Sequence, residues 1–423
     1  MATDVKTTPL NSWHKNRGAN MADFGGYDMP LWYSSVKDEH LAVLTGAGVF
    51  DTSHMAAVSV TGPEAANLLQ YCFTNDLDAC VGPSKKPLSP GRCVYGAFLD
   101  EKGHAIDDAI VFFMEVDSYL VVVNAGMGAT VAAHLQQHLN GRAATVVDLT
   151  DGLGKMDIQG PAAAKILAQV LADPNAVFTK MPYFSFKGHY DAASPQADAV
   201  RLNDGTPILL SRTGYTGEFG FEIFLAPEAL VSLWERLLEA GGSHDIMPCG
   251  LAARDSLRAG AVLPLSHQDI GHWPFINHPW PFALPFTADQ TGFTKDFIGR
   301  AALENPAETA FTQPFAGKDV RKISAGEGSR VIDTDGRTIG TVLTCATDMG
   351  IGRHQGEIVS VASPGRPAGF KARGLCCGFV KTNRKLSVGE HVDIADSRRK
   401  ITVTIVDDVR PHRTARSPLV DMV

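Results

Sequence analysis

Two segments of the chain share one local form: a short apolar strand, then Gly-Pro, then a helix with a regular apolar face. They read VSVTGPEAANLLQYCF (58–73) and KMDIQGPAAAKILAQVL (155–171). Pro63 and Pro161 fit the first position of a helix, where the missing amide proton has no cost. The apolar residues that follow are spaced by three and four, as on one helical face. A chain that repeats strand, turn and amphipathic helix is predicted to form two related α+β units.

Between the two repeats lies RCVYGAFLDEKGHAIDDAIVFFMEVDSYLVVVN (92–124). Its three strand-like runs are separated by DEKGH and EVDS, which predicts an antiparallel meander. Further helices are expected at 227–240 and 250–258. The segment 272–286 holds too many prolines for a helix or an inner strand.

The pattern of predicted elements changes after about residue 310, from helices and strands to strands alone. Short strand-like runs, cut by Gly, Pro and Asp turns, follow at 340–347, 356–362, 374–380, 391–395 and 400–406. Such spacing is typical of a small β-barrel or sandwich. We therefore expect a first region over 1–305 and a C-terminal β-barrel domain over 306–423.

Charge and hydropathy exclude some classes of function. The net charge of −8 comes with no long basic run, which argues against a nucleic-acid partner. No apolar run approaches the ~20 residues of a membrane span. The first residues lack the apolar core of a secretory signal, so a cytoplasmic protein is expected.

The cysteines and histidines predict neither a metal site nor a disulfide framework. Seven cysteines form no C-x-x-C pair, and the 14 histidines are scattered. We expect reduced thiols and no metal site.

Two groups of carboxylates stand in otherwise apolar runs. Asp107 and Asp108 are adjacent on a predicted strand, where side chains alternate faces, so the two are expected to point opposite ways. Glu222 lies near the end of SRTGYTGEFGFEI (211–223), inside the apolar run FGFEIFL (219–225). Burying its charge is costly unless matching donors meet it.

Seven motifs, in this order, resemble those of the glycine cleavage T-protein (aminomethyltransferase) family. They are DFGGYDMP (23–30), GVFDTSHM (48–55), TNDL (74–77), IDDAIVF (106–112), SRTGYTGEFGFEI (211–223), PCGLAARDSLR (248–258) and KDFIGRAAL (295–303). The resemblance covers nearly the whole chain, including the carboxy-terminal barrel. It implies an α+β fold of three domains in a ring around a tetrahydrofolate pocket.

The resemblance also implies roles for single residues. Asp108 matches the essential carboxylate of the family and would be the catalytic residue. The tetrahydrofolate pocket would be completed by Met55, Tyr95, Asn124, Tyr215, Glu222 and Arg254. Glu222 would accept the adjacent N–H groups of the pterin ring, and would lack partners without it.

The resemblance breaks down over 259–286. The glutamate and tyrosine of the family pattern are replaced by Gly260 and Ser266, a second glutamate by Pro281, and Trp280 and Phe282 are added. An apolar rim of this kind could close around a small methylated substrate.

Three functions are therefore open. The first is the aminomethyltransferase of glycine cleavage, with a lipoylated carrier protein as partner. The second is a tetrahydrofolate-dependent demethylase with a small methylated donor, and the third a non-enzymatic folate-binding assembly factor.

Overall fold

The computed structural model describes residues 5–423. Its helices are α1 (Asn11–Asn16), α2 (Val36–Thr45), α3 (Ala65–Cys72), α4 (Gly128–Gln137), α5 (Ala163–Ala168), α6 (Pro174–Phe178), α7 (Leu230–Ala240), α8 (Leu251–Gly260) and α9 (Arg300–Glu304). The predicted helices at 227–240 and 250–258 are confirmed as α7 and α8. In α7 the buried side chains recur at helical spacing, as Leu230, Leu233, Trp234 and Leu237.

The strands of the first region are β1 (Asn20–Phe24), β2 (Tyr27–Trp32), β3 (Ala47–Asp51), β4 (Ala56–Thr61), β5 (Arg92–Leu99), β6 (Ala105–Glu115), β7 (Ser118–Val123), β8 (Thr145–Asp148), β9 (Gly154–Gln159), β10 (Phe186–Gly188), β11 (Leu209–Ser211), β12 (Gly220–Leu225) and β13 (Ile246–Pro248). Those that follow are β14 (Phe311–Ala316), β15 (Arg330–Ile332), β16 (Thr338–Asp348), β17 (Ile351–His354), β18 (Glu357–Ser360), β19 (Leu375–Thr382), β20 (His391–Ala395) and β21 (Lys400–Ile405).

Two mixed layers of sheet and helix make up the first region. One sheet has the strand order β5-β6-β7-β4-β8, and the other β10-β11-β12-β9-β3-β13. Strands β5, β6 and β7 pair antiparallel in sequence order, which confirms the predicted meander. The predicted α+β class is confirmed.

The two Gly-Pro turns have the same geometry. Gly62 and Gly160 have φ values of +115° and +123°, and a Cβ atom on either would lie 2.5 Å from a carbonyl oxygen of a neighbouring segment. The prolines lie within the turn and the helices begin two residues later, at Ala65 and Ala163. The turn places Pro63 and Pro161 outside the helix, because the amides of Ala65 and Ala163 bond back to the glycine carbonyls.

The two sheets face each other across a shared apolar core. Phe112 of β6 packs against Phe224 of β12, with ring centroids 5.6 Å apart, and against Phe186 of β10 at 5.2 Å. Side chains on a strand alternate faces, so Asp108 lies on the same side of β6 as Phe112. By the same rule Glu222 lies on the same side of β12 as Phe224. The packing of the sheets therefore turns both carboxylates toward the space between them.

The strands after residue 310 close into a barrel of order β14-β19-β16-β15-β20-β21. This confirms the predicted C-terminal barrel. The run 356–362 forms the strand β18, but this strand pairs with β17 as a separate hairpin and does not join the barrel. The short strand β15 takes a place in the barrel instead, since its backbone pairs with both β16 and β20. The boundary at 305/306 remains our proposal.

Helix α8 is held against the barrel by buried charges. Arg410 donates to Asp348 of β16 at 2.5 Å and to Glu218 at 3.0 Å, and its backbone amide bonds to the carbonyl of Gly260. A Cβ atom at Gly260 would clash with the Asp348 carboxylate. Gly260, one of the departures from the family pattern, therefore serves close packing on the barrel.

All seven cysteines are free thiols in the structure, as expected. Among residues 5–423, no helix is long and apolar enough to cross a bilayer.

Candidate active site

Asp108 lies at the centre of a small hydrogen-bond network on the meander. Its Oδ2 accepts a bond of 2.8 Å from the Tyr95 hydroxyl, and its Oδ1 one of 2.6 Å from the Asn124 side-chain amide. Tyr95 comes from the neighbouring strand β5, and Asn124 follows the end of β7. The side chain of Asp108 is half-buried, so it is fixed in place yet open on one side.

Asp107 does not turn away from this network, so the expectation that the two carboxylates diverge was wrong. The Asn124 side-chain amide donates to both carboxylates, at 2.8 Å to Asp107 and 2.6 Å to Asp108. Asp107 is fully buried and also accepts from Ser266 at 2.8 Å. Strand alternation separates the Cβ atoms, but Asn124 lies beyond the strand end, where both side chains can reach it.

The proximity of two carboxylates changes the acidity of Asp108. Burial, and then the negative charge of Asp107, raise the pKa of Asp108 to about 6. The hydrogen bonds from Tyr95 and Asn124 act in the opposite direction. Asp108 can therefore exchange a proton near neutral pH, as a general base must.

A second group of charges lies on the facing sheet. The ammonium of Lys155, which is 3% exposed, contacts Asp157 at 2.8 Å and Glu222 at 2.7 Å. Arg254 of α8 contacts the other oxygen of Asp157 at 2.7 Å. Burial opposes ionisation here, but Lys155 and Arg254 hold the pKa of Asp157 below its ordinary value.

Glu222 has protein partners in the absence of any ligand, which corrects the expectation that it would lack them. One oxygen accepts from Lys155 and the other from the Thr213 hydroxyl. A carboxylate has about four acceptor positions, so each oxygen retains a free lone pair. The sequence prediction missed Lys155 because only the pairing of β9 with β12 places it beside Glu222.

Tyr215 and Met55, the remaining predicted pocket residues, lie near these charged groups or on the apolar core. The guanidinium of Arg254 lies 5.0 Å from the centre of the Tyr215 ring. Burial raises the pKa of Tyr215, and the charge of Asp108 adds to the effect. Met55 packs on the apolar core between the sheets. The hydrogen-bonded residues therefore fall into two groups, one formed by Asp108 with Tyr95 and Asn124, and one around Asp157. The second group links Glu222, Arg254 and Tyr215.

His267 is a candidate that the sequence analysis missed. Its Nε2 lies 3.6 Å from Asp107, and this contact raises the pKa of His267 above its ordinary value. Its backbone has a φ of +62°, a conformation that few non-glycine residues adopt. The sequence did contain one signal for it, because the neighbouring Ser266 departs from the family pattern.

The two added aromatic residues of the 272–286 loop have different positions. Trp280 is buried, donates to the Val262 carbonyl at 2.9 Å and packs on Phe379 of the barrel. Phe282 is 61% exposed and lies 5.7 Å from the Tyr95 ring. The expected apolar rim is therefore reduced to Phe282, since Trp280 fills the core.

Known proteins resemble this chain over much of its length. The family model described as "GCVT N-terminal domain" matches residues 10–273, more than half of the chain. An aminomethyltransferase of Streptomyces coelicolor is 36% identical over 363 residues, which are 83% of this chain and 88% of that protein. This chain belongs to the GCVT family.

A solved structure agrees with the family assignment. It is the glycine cleavage system aminomethyltransferase T from Bartonella henselae, with a TM-score of 0.74 and 27% identity. The match covers 97% of this chain and 99% of that one. The resemblance predicted from the seven motifs is thus confirmed.

The GCVT family uses tetrahydrofolate as a co-substrate, and the residues between the sheets fit a reduced folate. Asp108 and Glu222 offer free carboxylate lone pairs to ring N–H groups. Tyr95 and Tyr215 offer aromatic rings. Two surface clefts of about 480 and 240 Å³ lie elsewhere, one against Trp13 and Glu235 and the other against His138 and Asp296.

Proposed function

We propose that this protein transfers an aminomethyl group from a lipoylated carrier protein to tetrahydrofolate, with release of ammonia. The prediction of an aminomethyltransferase is confirmed by the comparisons. The observation that carries the mechanism is Asp108, a fixed, half-open carboxylate with a pKa of about 6.

Each residue of the network has a separate task in this proposal. Tetrahydrofolate supplies a nitrogen nucleophile that must lose a proton as it accepts the one-carbon unit. Asp108 accepts that proton, while Tyr95 and Asn124 hold its two oxygens in place. Asp107 maintains the basicity of Asp108 through its charge. Such general-base assistance contributes roughly 10²–10⁴-fold to a rate.

Glu222 and Arg254 serve binding in this proposal. Glu222 accepts N–H groups of the pterin ring with the lone pairs that Lys155 and Thr213 leave free. Arg254 is held by Asp157 beside the Tyr215 ring, where it can attract the anionic part of the ligand. The alternatives of a demethylase and of a non-enzymatic assembly factor are not favoured by the comparisons.

The proposal is tested by supplying purified lipoylated carrier, loaded with the aminomethyl group, and following ammonia and 5,10-methylene-tetrahydrofolate. We expect both products in equal amounts, and only with tetrahydrofolate present. Formation of 5-methyl-tetrahydrofolate from a small methylated donor, without the carrier, would support the demethylase instead.

Binding of tetrahydrofolate is expected to stabilise the protein. At ~100 times its dissociation constant, it should add about 2.7 kcal/mol to the free energy of unfolding. In Glu222→Ala this gain should shrink, because the pterin N–H groups lose their acceptor. Thermal denaturation with and without tetrahydrofolate measures both effects.

Glu218→Ala is the matched control for Glu222→Ala. Glu218 is also a buried glutamate of the same segment, but it pairs with Arg410 and Thr414 at the barrel. This variant should melt earlier yet keep the full gain from tetrahydrofolate. An equal gain in Glu222→Ala and wild type would exclude Glu222 from the pocket.

Phe282 is expected to affect recognition of the carrier. It is the exposed aromatic side chain next to Tyr95, so the apolar lipoyl arm would pass over it. Phe282→Ala should raise KM for the lipoylated carrier roughly 10-fold, the effect of losing about 1.4 kcal/mol of contact, with kcat nearly unchanged. Val388→Ala removes another exposed apolar side chain, on the barrel, and should leave KM unaltered. Equal KM values in the two variants would contradict this role.

A further inference from the structure

Three side chains with metal-binding atoms meet on the side of the first sheet that carries α3 and α4. Helix α3 ends at Cys72, and α4 presents His134 with His138 one turn later. One ligand atom from each of the three lies within 4.8 Å of the other two. The two histidines have the His-x-x-x-His spacing of a metal site on a helix, although no metal site was expected from the sequence.

Each histidine keeps a ring nitrogen to which no group of residues 5–423 is hydrogen-bonded. The Nδ1 of His138 bonds to the carbonyl oxygen of His134 at 2.8 Å, which makes Nδ1 the protonated nitrogen and leaves the Nε2 lone pair free. The Nε2 of His134 is buried and has no hydrogen-bond partner within residues 5–423. A buried nitrogen without a partner is costly, and a metal ion would satisfy it.

The cluster of Cys72, His134 and His138 is covered by an apolar side chain on one side and borders an open cleft on the other. Phe98 packs edge-on against the His134 ring at 6.1 Å. His138 borders a cleft of about 240 Å³, which is also lined by the carboxylates of Glu101 and Asp296. Two cations lie near the cluster, and both are bonded to backbone carbonyls. Arg142 donates to His138 and Leu139 and lies over the Tyr71 ring, and Lys295 donates to Gln70 and Phe73. A cation entering from the cleft would meet two negative charges, and water could reach it there.

We propose that Cys72, His134 and His138 bind one Zn²⁺ ion, with a water molecule from the cleft as the fourth ligand. A thiolate with two imidazoles is a donor set that suits zinc in tetrahedral geometry. On binding, the Cys72 thiol releases its proton to solvent as the sulfur–zinc bond forms. The ion would tie the end of α3 to α4, and so stabilise the sheet that carries Asp108. This site is independent of the proposed folate chemistry.

Cobalt provides the direct test, because Co²⁺ takes the place of zinc and reports its ligands by absorption. The full-length protein is treated with a chelator and titrated with Co²⁺, then with Zn²⁺. We expect saturation at one Co²⁺ per chain, with a thiolate-to-cobalt charge-transfer band and tetrahedral d–d bands that Zn²⁺ abolishes. Absence of binding, or binding without the charge-transfer band, would overturn the proposal.

Paired variants separate this site from other cysteines and histidines. Cys72→Ala and His138→Ala should each lower zinc affinity roughly 100-fold or more and remove the zinc-induced rise in melting temperature. Cys80→Ala and His189→Ala, outside the cluster, should retain both. Melting of each metal-free variant shows whether it is folded. Wild-type zinc affinity in folded Cys72→Ala would exclude the site.

Discussion

Asp108→Asn is expected to lower turnover by roughly 10²-fold or more, while tetrahydrofolate affinity changes little. Asparagine keeps the shape of the side chain and can still accept from Tyr95, but it cannot take up a proton. Steady-state kinetics give the loss in kcat, and thermal shift or titration gives the affinity. A variant with wild-type turnover would exclude the carboxylate mechanism.

The pH dependence of the reaction provides the control for this role. Because Asp108 acts when ionised, kcat/KM should fall as the pH drops through about 6, the pKa of this carboxyl group. Asp107→Asn removes the charge that raises this pKa, so the acidic limb should move to lower pH. Tyr95→Phe removes a bond that favours the ionised form, so the limb should move to higher pH. Shifts in the same direction in both variants would contradict the assigned roles.

Asp107→Asn should also lower stability. The buried carboxylate of Asp107 accepts from the backbone and the side chain of Asn124 and from Ser266. An amide in its place turns one acceptor into a donor that faces other donors. Mutation of either aspartate is therefore expected to have an effect. The pH profile of kcat/KM distinguishes the role of Asp107 from that of Asp108.

Lys155→Met is expected to reduce the free energy of unfolding by about 3–5 kcal/mol, the cost of breaking a buried ion pair by removal of one partner. Lys155 is buried between Asp157 and Glu222. Asp157 keeps Arg254, but Glu222 keeps only the Thr213 hydroxyl. Urea denaturation measures the loss.

Two further variants identify the cause of that loss. Lys165→Met, at an exposed position of α5, should change stability by less than about 0.5 kcal/mol. Lys155→Met combined with Glu222→Gln should recover part of the stability, because the second change removes the unpaired charge. If the double variant is less stable than Lys155→Met alone, the ion pair is not the reason for the loss.

The sequence alone determined the local structure and the family. Strand alternation and turn residues located the meander, and apolar spacing located α7 and α8, since these signals arise within a few neighbouring residues. The family resemblance predicted Asp108 and its pocket residues, and their roles remain a proposal. Strand β15 was not predicted, because three residues are too few to show the alternation of apolar and polar side chains that marks a strand.

Only the tertiary structure decided which groups meet. Lys155 and Glu222 are 67 positions apart, and the pairing of β9 with β12 brings them together. Asn124 bonds to both aspartates because β7 ends beside them, and His267 reaches Asp107 from a loop 160 residues later. Trp280 and Phe282 stand two positions apart in sequence, yet packing on the barrel buries one and leaves the other in solvent. Contacts of this kind form between residues far apart in the chain, and they depend on how whole sheets and loops pack. A short stretch of sequence therefore does not predict them.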